Sequence, residues 1–217
     1  MTPSSRPTRR RVIGAKAALI PQDPLTALNP GRRIGPQLTD GLRLRRGLSR
    51  READARAAAL LEEVHIRDPA RVMESYPHQL SGGMRQRVLI AAAFSMEPRL
   101  VVADEPTTAL DVTVQKQILR LIRSMQAAHG TAVVFVTHDL GVVAQICDRV
   151  CLLYGGRVIE TGPTADILLR PTHAYTRALI ASSPRYDRPG HGLVPVPASV
   201  FDGLRDEIAA YDRERPA

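Results

Sequence analysis

The 217 residues can enclose one α/β core, their apolar share of 44% is that of a globular domain, and no apolar run reaches the roughly 20 residues of a membrane-spanning helix. Only 4% of the residues are aromatic and none is Trp, which argues against a base-stacking platform. The net charge of +8 is nearly all arginine, since Lys16 and Lys116 are the only lysines; it admits nucleic-acid or anionic-membrane partners, or arginine spread over solvated faces.

Residues 1–16 read as a basic, irregular lead-in, and no apolar stretch follows Arg11 as a secretory signal would require. The expected compartment is therefore the cytosol. Ala17 to Ile20 predicts a short strand, stopped by Pro21 and followed by turn residues at Gln22-Asp23-Pro24 and Asn29-Pro30-Gly31. Arg51 to Val64 lacks Gly and Pro and predicts a helix with Leu60, Leu61 and Val64 on its apolar face. Ser81 is a good N-cap for a helix over Gly82 to Met96. Leu100 to Ala103 predicts a buried parallel strand, Val112 to Ala128 an amphipathic helix closed at His129-Gly130, and Ala132 to Thr137 a third strand. Leu140 to Ile146 reads as helix, Val150 to Tyr154 as strand, and Tyr154 to Glu160 as a hairpin. Strands alternating with helices predict a parallel sheet covered on both faces. Beyond Pro184 the chain is rich in Pro and charge, with an amphipathic stretch near Phe201 to Tyr211. Cys147 and Cys151 have no second pair to complete a metal site and read as small buried apolar residues. His65, His78, His129 and His173 read as surface residues.

Two segments carry chemistry. Leu100 to Ala103 runs into Asp104-Glu105, and open α/β sheets place ligands at strand C-terminal ends. There the first carboxylate can hold Mg²⁺ and the second can polarise an attacking water, although apolar runs ending in Asp-Glu are common. Gly82-Gly83 at a helix start lets an anion approach free N–H groups; the same residues also suit a flexible helix entry.

Taken together, the motifs resemble those of ABC transporter ATPases. Leu80 to Gln86 is similar to the signature motif, Asp104 to Asp111 to Walker B running into the D-loop, Phe135 to Asp139 to the H-loop, and Gln22-Asp23-Pro24 to the Q-loop. Gln22 to Pro30, and Pro171-Thr172-His173-Ala174-Tyr175-Thr176-Arg177-Ala178-Leu179, further resemble the dipeptide and oligopeptide importer branch and its D-type ATPase subunit. The resemblance covers about residues 9 to 186.

The resemblance implies an α/β P-loop NTPase (ABC ATPase) fold with a parallel sheet core and a helical subdomain near residues 36–98, within a domain over 1–186 and a C-terminal extension over 187–217. It implies an ATPase that couples ATP hydrolysis to peptide uptake. Its cofactors would be ATP and Mg²⁺. Glu105 would be the general base, Asp104 and Gln22 would serve Mg²⁺, and His138 would contact the γ-phosphate. Gln22, Ser81, Gly82, Gly83 and Gln86 would serve nucleotide binding, with Ser81 and Gly83 facing the ATP held by the opposite subunit, and Asp111 would organise the dimer seam. Asp111 could equally cap the helix that follows it. The implied partners are two transmembrane permease subunits, a second ABC ATPase and, indirectly, an external binding protein, at the cytoplasmic face of the membrane and without nucleic acid.

No G-x-x-x-x-G-K-[ST] occurs, and Gly14-Ala15-Lys16 does not replace it, so the residues that grip the β/γ-phosphates are missing from this sequence. The fold is therefore expected to be incomplete on its N-terminal side, with a gap or a wrong pairing between the strands near 132–137 and 149–154. These residues alone are expected to bind ATP weakly and hydrolyse it negligibly. Two other readings stay open: a non-hydrolytic partner that supplies only the signature motif, and a soluble ABC-type ATPase acting on nucleic acid.

Overall fold

Three short apolar runs form the sheet that organises the first part of the chain. In the computed structural model, which describes residues 16–108, 110–183 and 195–214 and only the backbone of Leu25, these are β1 (Ala17–Ile20), β2 (Leu100–Asp104) and β3 (Ala132–Val136). They lie in the order β1-β2-β3, all parallel, with Leu19, Val102 and Val134 in one register row and Ile20, Ala103 and Phe135 in the next. The lead-in over 1–15 and the Pro-rich stretch over 184–194 lie outside the described residues. The chain divides into two compact units after Val136.

In the first unit, every regular element between β1 and β2 is helical: α1 (Pro24–Ala27), α2 (Ile34–Arg46), α3 (Arg50–Glu63), α4 (Pro69–Glu74), a 3₁₀ turn at Pro77–Gln79 and α5 (Gly82–Phe94). Long α6 (Val112–His129) joins β2 to β3. Local chemistry sets the ends. Ser49 and Glu52 form a reciprocal capping box that starts α3, and Gly47 and Gly130 close α2 and α6 in the left-handed conformation. The core joins Ile34, Leu38 and Leu42 of α2, Leu60 and Leu61 of α3, Val88, Ile90 and Phe94 of α5, and Ile118, Ile122 and Met125 of α6. Beside it runs an ionic network. Arg46 and Arg56 reach Glu97, and Arg56 and His129 reach Glu63, His129 at 2.7 Å.

Two expectations change here. His129 is not a surface residue: its side chain is 10% exposed, tilted against Phe94 and bonded to Glu63. Nor are both faces of the sheet covered among the described residues. Ile20, Val101 and Ala103 are buried, but Leu19 (57% exposed), Val134 (49%) and Val136 (45%) point to the other, open face. Among the described residues β3 also has no strand on its outer edge.

The second unit comprises α7 (Leu140–Ile146), β4 (Arg149–Tyr154), β5 (Arg157–Pro163), α8 (Thr164–Leu169), α9 (Ala174–Ser182) and α10 (Ala198–Glu214). β4 and β5 form a two-stranded antiparallel hairpin of their own, turned at Gly155-Gly156, both with positive φ. β4 thus pairs with its sequence neighbour β5. Tyr154, Tyr175 and Phe201 bring β4, α9 and α10 into one aromatic cluster, and Arg157 pairs with Asp212 while its guanidinium stands 4.2 Å over the Tyr211 ring. Cys151 is exposed on the outward face of β4, and Cys147 is half-buried, so neither is the fully buried apolar residue expected. Burial and the neighbouring Asp148 push the Cys147 thiol up.

Glu160 on β5 fastens the start of α9. Its carboxylate accepts hydrogen bonds from the Thr172 amide and hydroxyl, both at 2.7 Å, and from the His173 amide. The buried Thr176 hydroxyl lies close without good hydrogen-bond geometry. Burial alone would raise this carboxyl; the neighbouring hydroxyls and amides outweigh it and hold it at about 2, against an ordinary 4.5. A depressed carboxylate contributes stability that is full above its unfolded value and lost as pH falls through its folded value. Acid melts between pH 4.5 and 2 should therefore show the second unit losing stability. After allowance for solvent screening the loss is on the order of 1 kcal/mol. Glu160→Gln should flatten that dependence, and identical acid profiles would contradict the assignment.

Candidate functional site

Asp104 ends β2 and Glu105 begins the turn beyond it, at the C-terminal edge of the parallel sheet. Glu105 adopts a left-handed backbone (φ 43), an uncommon and costly conformation for a side chain of its size. Its N–H donates to the Val136 carbonyl at 2.9 Å, and its own carbonyl accepts from Thr108 N–H at 3.1 Å. Pro106 and Thr107 are buried beneath the turn. The Glu105 carboxylate accepts two side-chain hydrogen bonds on the same oxygen, Oε2: from the Gln22 amide at 3.2 Å and from the Thr108 hydroxyl at 2.8 Å. Gln22 follows β1, and β1 pairs with β2, so the parallel register itself carries Gln22 toward Glu105. Asp104 is exposed at the same edge.

A second group forms where α5 and α6 begin. Ser81 caps α5, its hydroxyl accepting from Met84 N–H at 3.3 Å, and Asp111 caps α6, accepting from Thr113 and Val114 at 3.0 Å. Asp111 is therefore a cap, whatever else it does. A Cβ placed on Gly83 would meet Val114 of α6 at 3.6 Å, so the two helix starts stand together; a Cβ on Gly82 would meet nothing within 4 Å. The space before Gly82 is open to an approaching anion, and the α5 N–H groups and dipole face it.

Gln86 departs from the expected nucleotide contact. It lies one turn into α5, is 1% exposed, and its Nε2 is buried without a hydrogen-bond partner. A side chain so enclosed does not reach a ligand at the exposed end of the helix, and its place is in the core. His138 is exposed in the second unit, on the segment leading into α7, where Thr137 and Asp139 shape the turn. Thr108 is the site residue that the motif reading missed; a hydroxyl three residues after a glutamate, across a Pro-containing turn, is the signal that could have found it. No group of three or more His, Cys, Asp or Glu side chains able to hold a metal occurs among the described residues. A lone Asp104 nonetheless suits Mg²⁺, which commonly takes one or two protein carboxylates and completes its shell with phosphate and water.

Residues 2–108 match the family model for ABC transporters, and residues 159–205 match that for the oligopeptide/dipeptide transporter C-terminal region. Among solved structures, the ATP-binding cassette MJ0796 in a dimeric post-hydrolysis state bound to ADP and Pi superposes with a TM-score of 0.62 at 30% identity, over 75% of this chain and 68% of that one. The chain belongs to the ABC transporter family. The probable D,D-dipeptide transport ATP-binding protein DdpD of Escherichia coli (strain K12) is 54% identical over 206 residues, 94% of this chain and 63% of the relative. The glutathione import ATP-binding protein GsiA of Salmonella typhimurium is 50% identical over 185 residues, 85% of this chain and 30% of the relative. The chain thus spans about six-tenths of DdpD and a smaller share of GsiA. The α/β architecture of this family accounts for the parallel β1-β2-β3 core and its helical insertions.

Proposed function

We propose that this chain is the ATP-binding subunit of an ABC importer for di- or oligopeptides, coupling ATP hydrolysis to uptake across the cytoplasmic membrane. The observation that carries the reading is the convergence of Gln22 on the Glu105 carboxylate at the end of β2, in a chain whose tail matches the oligopeptide/dipeptide region. DdpD and GsiA, by their names, serve dipeptide and glutathione transport, which supports a peptide cargo.

In this reading Glu105 accepts a proton from the water that attacks the γ-phosphorus, while the bond to the β-phosphate oxygen breaks and ADP leaves. Gln22 holds the carboxylate and senses the γ-phosphate. Ser81, Gly82 and Gly83 offer a hydroxyl and helix N–H groups to the ATP held by the opposite subunit, Asp111 braces that seam, and His138 donates to the γ-phosphate. Asp104, with Gln22 near it, would hold Mg²⁺, which when bound neutralises phosphate charge. The residues that grip the β- and γ-phosphates come from outside this sequence. The partners are two permease subunits and a second ABC ATPase, with an external binding protein acting indirectly and no nucleic acid. The chain works at the cytoplasmic face of the membrane, and residues 36–98 or thereabouts form its helical subdomain. No helix among the described residues is long and apolar enough to cross a membrane.

The absence of a G-x-x-x-x-G-K-[ST] motif favours a second reading, in which the chain supplies only Ser81 and Gly83 to ATP held by an intact subunit. Mixing with an intact partner ATPase separates the two. Turnover lost with both Ser81→Arg and Glu105→Gln supports the first; turnover lost with Ser81→Arg but indifferent to Glu105→Gln supports the second.

A further inference from the structure

We infer that Thr108 is a positioning residue that holds the Glu105 carboxylate in its working orientation, an inference that rests on Glu105 being the general base. Glutamate has three rotatable side-chain bonds, and a base that wanders among rotamers meets its water only part of the time. The turn over Glu105–Thr108 removes that freedom at both ends. Its backbone is closed by Thr108 N–H to the Glu105 carbonyl and pinned to β3 through Glu105 N–H and Val136. Its side chains are closed by the Thr108 hydroxyl on Oε2 at 2.8 Å. The β-branched Thr108 has a stiff χ1, and buried Pro106 and Thr107 anchor the turn beneath it, so the direction of the hydroxyl is set by the fold.

Gln22 donates to the same oxygen from farther away, 3.2 Å, and from a different segment, the one that leaves β1. Its contact depends on where that segment stands. The Thr108 contact is internal to the turn and persists when the Gln22 segment moves. Thr108 therefore keeps the carboxylate aimed during any step in which Gln22 is drawn toward a ligand.

The test uses the transporter assembled around the full chain, with ATP turnover measured for wild type, Thr108→Val, Thr108→Ser and Glu105→Gln. Thr108→Val should lower kcat roughly tenfold with KM for ATP unchanged within about twofold, and Thr108→Ser, which restores the hydroxyl, should recover most of it. A merely structural role would move KM and the melting temperature together, and Ser would not rescue. Should Val disturb the turn, as a lowered melting temperature would report, Thr108→Ala is read in the same way. If Glu105→Gln abolishes turnover while Thr108→Val matches wild type, the inference on Thr108 fails and the base assignment stands. If Glu105→Gln leaves turnover intact, the base assignment fails and Thr108 falls with it.

Discussion

Glu105→Gln is expected to lower ATP turnover by the assembled transporter by about three orders of magnitude, the middle of the range for loss of a positioned general base. The substitution is nearly isosteric, so the positive-φ turn, the Val136 contact and the Thr108 N–H bond should all survive, since they use only the Glu105 backbone. What changes is the side chain: an amide has no basic oxygen for the water proton. It can still accept from Thr108 and Gln22 through its carbonyl oxygen, so nucleotide affinity should be kept or raised while chemistry stops. The measurement is steady-state phosphate release with ATP binding read in parallel. Turnover within tenfold of wild type would remove Glu105 from the chemistry.

Phe94→Ala is the substitution with the largest expected cost in stability, about 3–5 kcal/mol. Phe94 ends α5, is fully buried, and stands 5.5 Å from the His129 ring. Truncation would open a cavity beneath His129 at the point where α5, the end of α6 and the ionic network of Arg46, Arg56, Glu63 and Glu97 meet. Because α5 also carries Ser81 and Gly83 at its start, its loosening would reach the anion-facing end of the helix. A fall in melting temperature of more than about 10 °C is expected, and one under about 2 °C would show that this junction is not a centre of the core.

β1, β2 and β4 are legible because each is a short, mainly apolar run stopped by Pro21, Asp104 or Gly155, and the starts of α5 and α6 are legible because Ser81 and Asp111 are strong N-cap residues. Helix α2 is hard to read from its own pattern, since Gly35, Pro36 and Gly41 dilute it; Pro36 sits within the first turn, where proline is tolerated. The α3 capping box is written plainly in the sequence as Ser49-Arg50-Arg51-Glu52. Periodicity places Gln86 more directly than the motif does. Leu89, Ile90 and Ala93 lie three, four and seven residues on, all buried, which places Gln86 on the core-facing stripe. Cys151 and His129 show the converse limit: strand alternation does not say which face is outward, and only tertiary packing brings Glu63 to His129. Gln22 and Glu105 are 83 residues apart, and their meeting at 3.2 Å required the parallel pairing of β1 with β2.

The central claim is most directly tested by isolating this chain from its host membrane by an affinity tag in mild detergent, identifying what accompanies it, and measuring peptide-dependent ATP hydrolysis. The account predicts two permease subunits and a second ABC ATPase in the complex, with hydrolysis stimulated by a peptide-loaded binding protein and lost on Ser81→Arg. A chain recovered without permease subunits, or hydrolysis indifferent both to peptide and to Ser81, would contradict it.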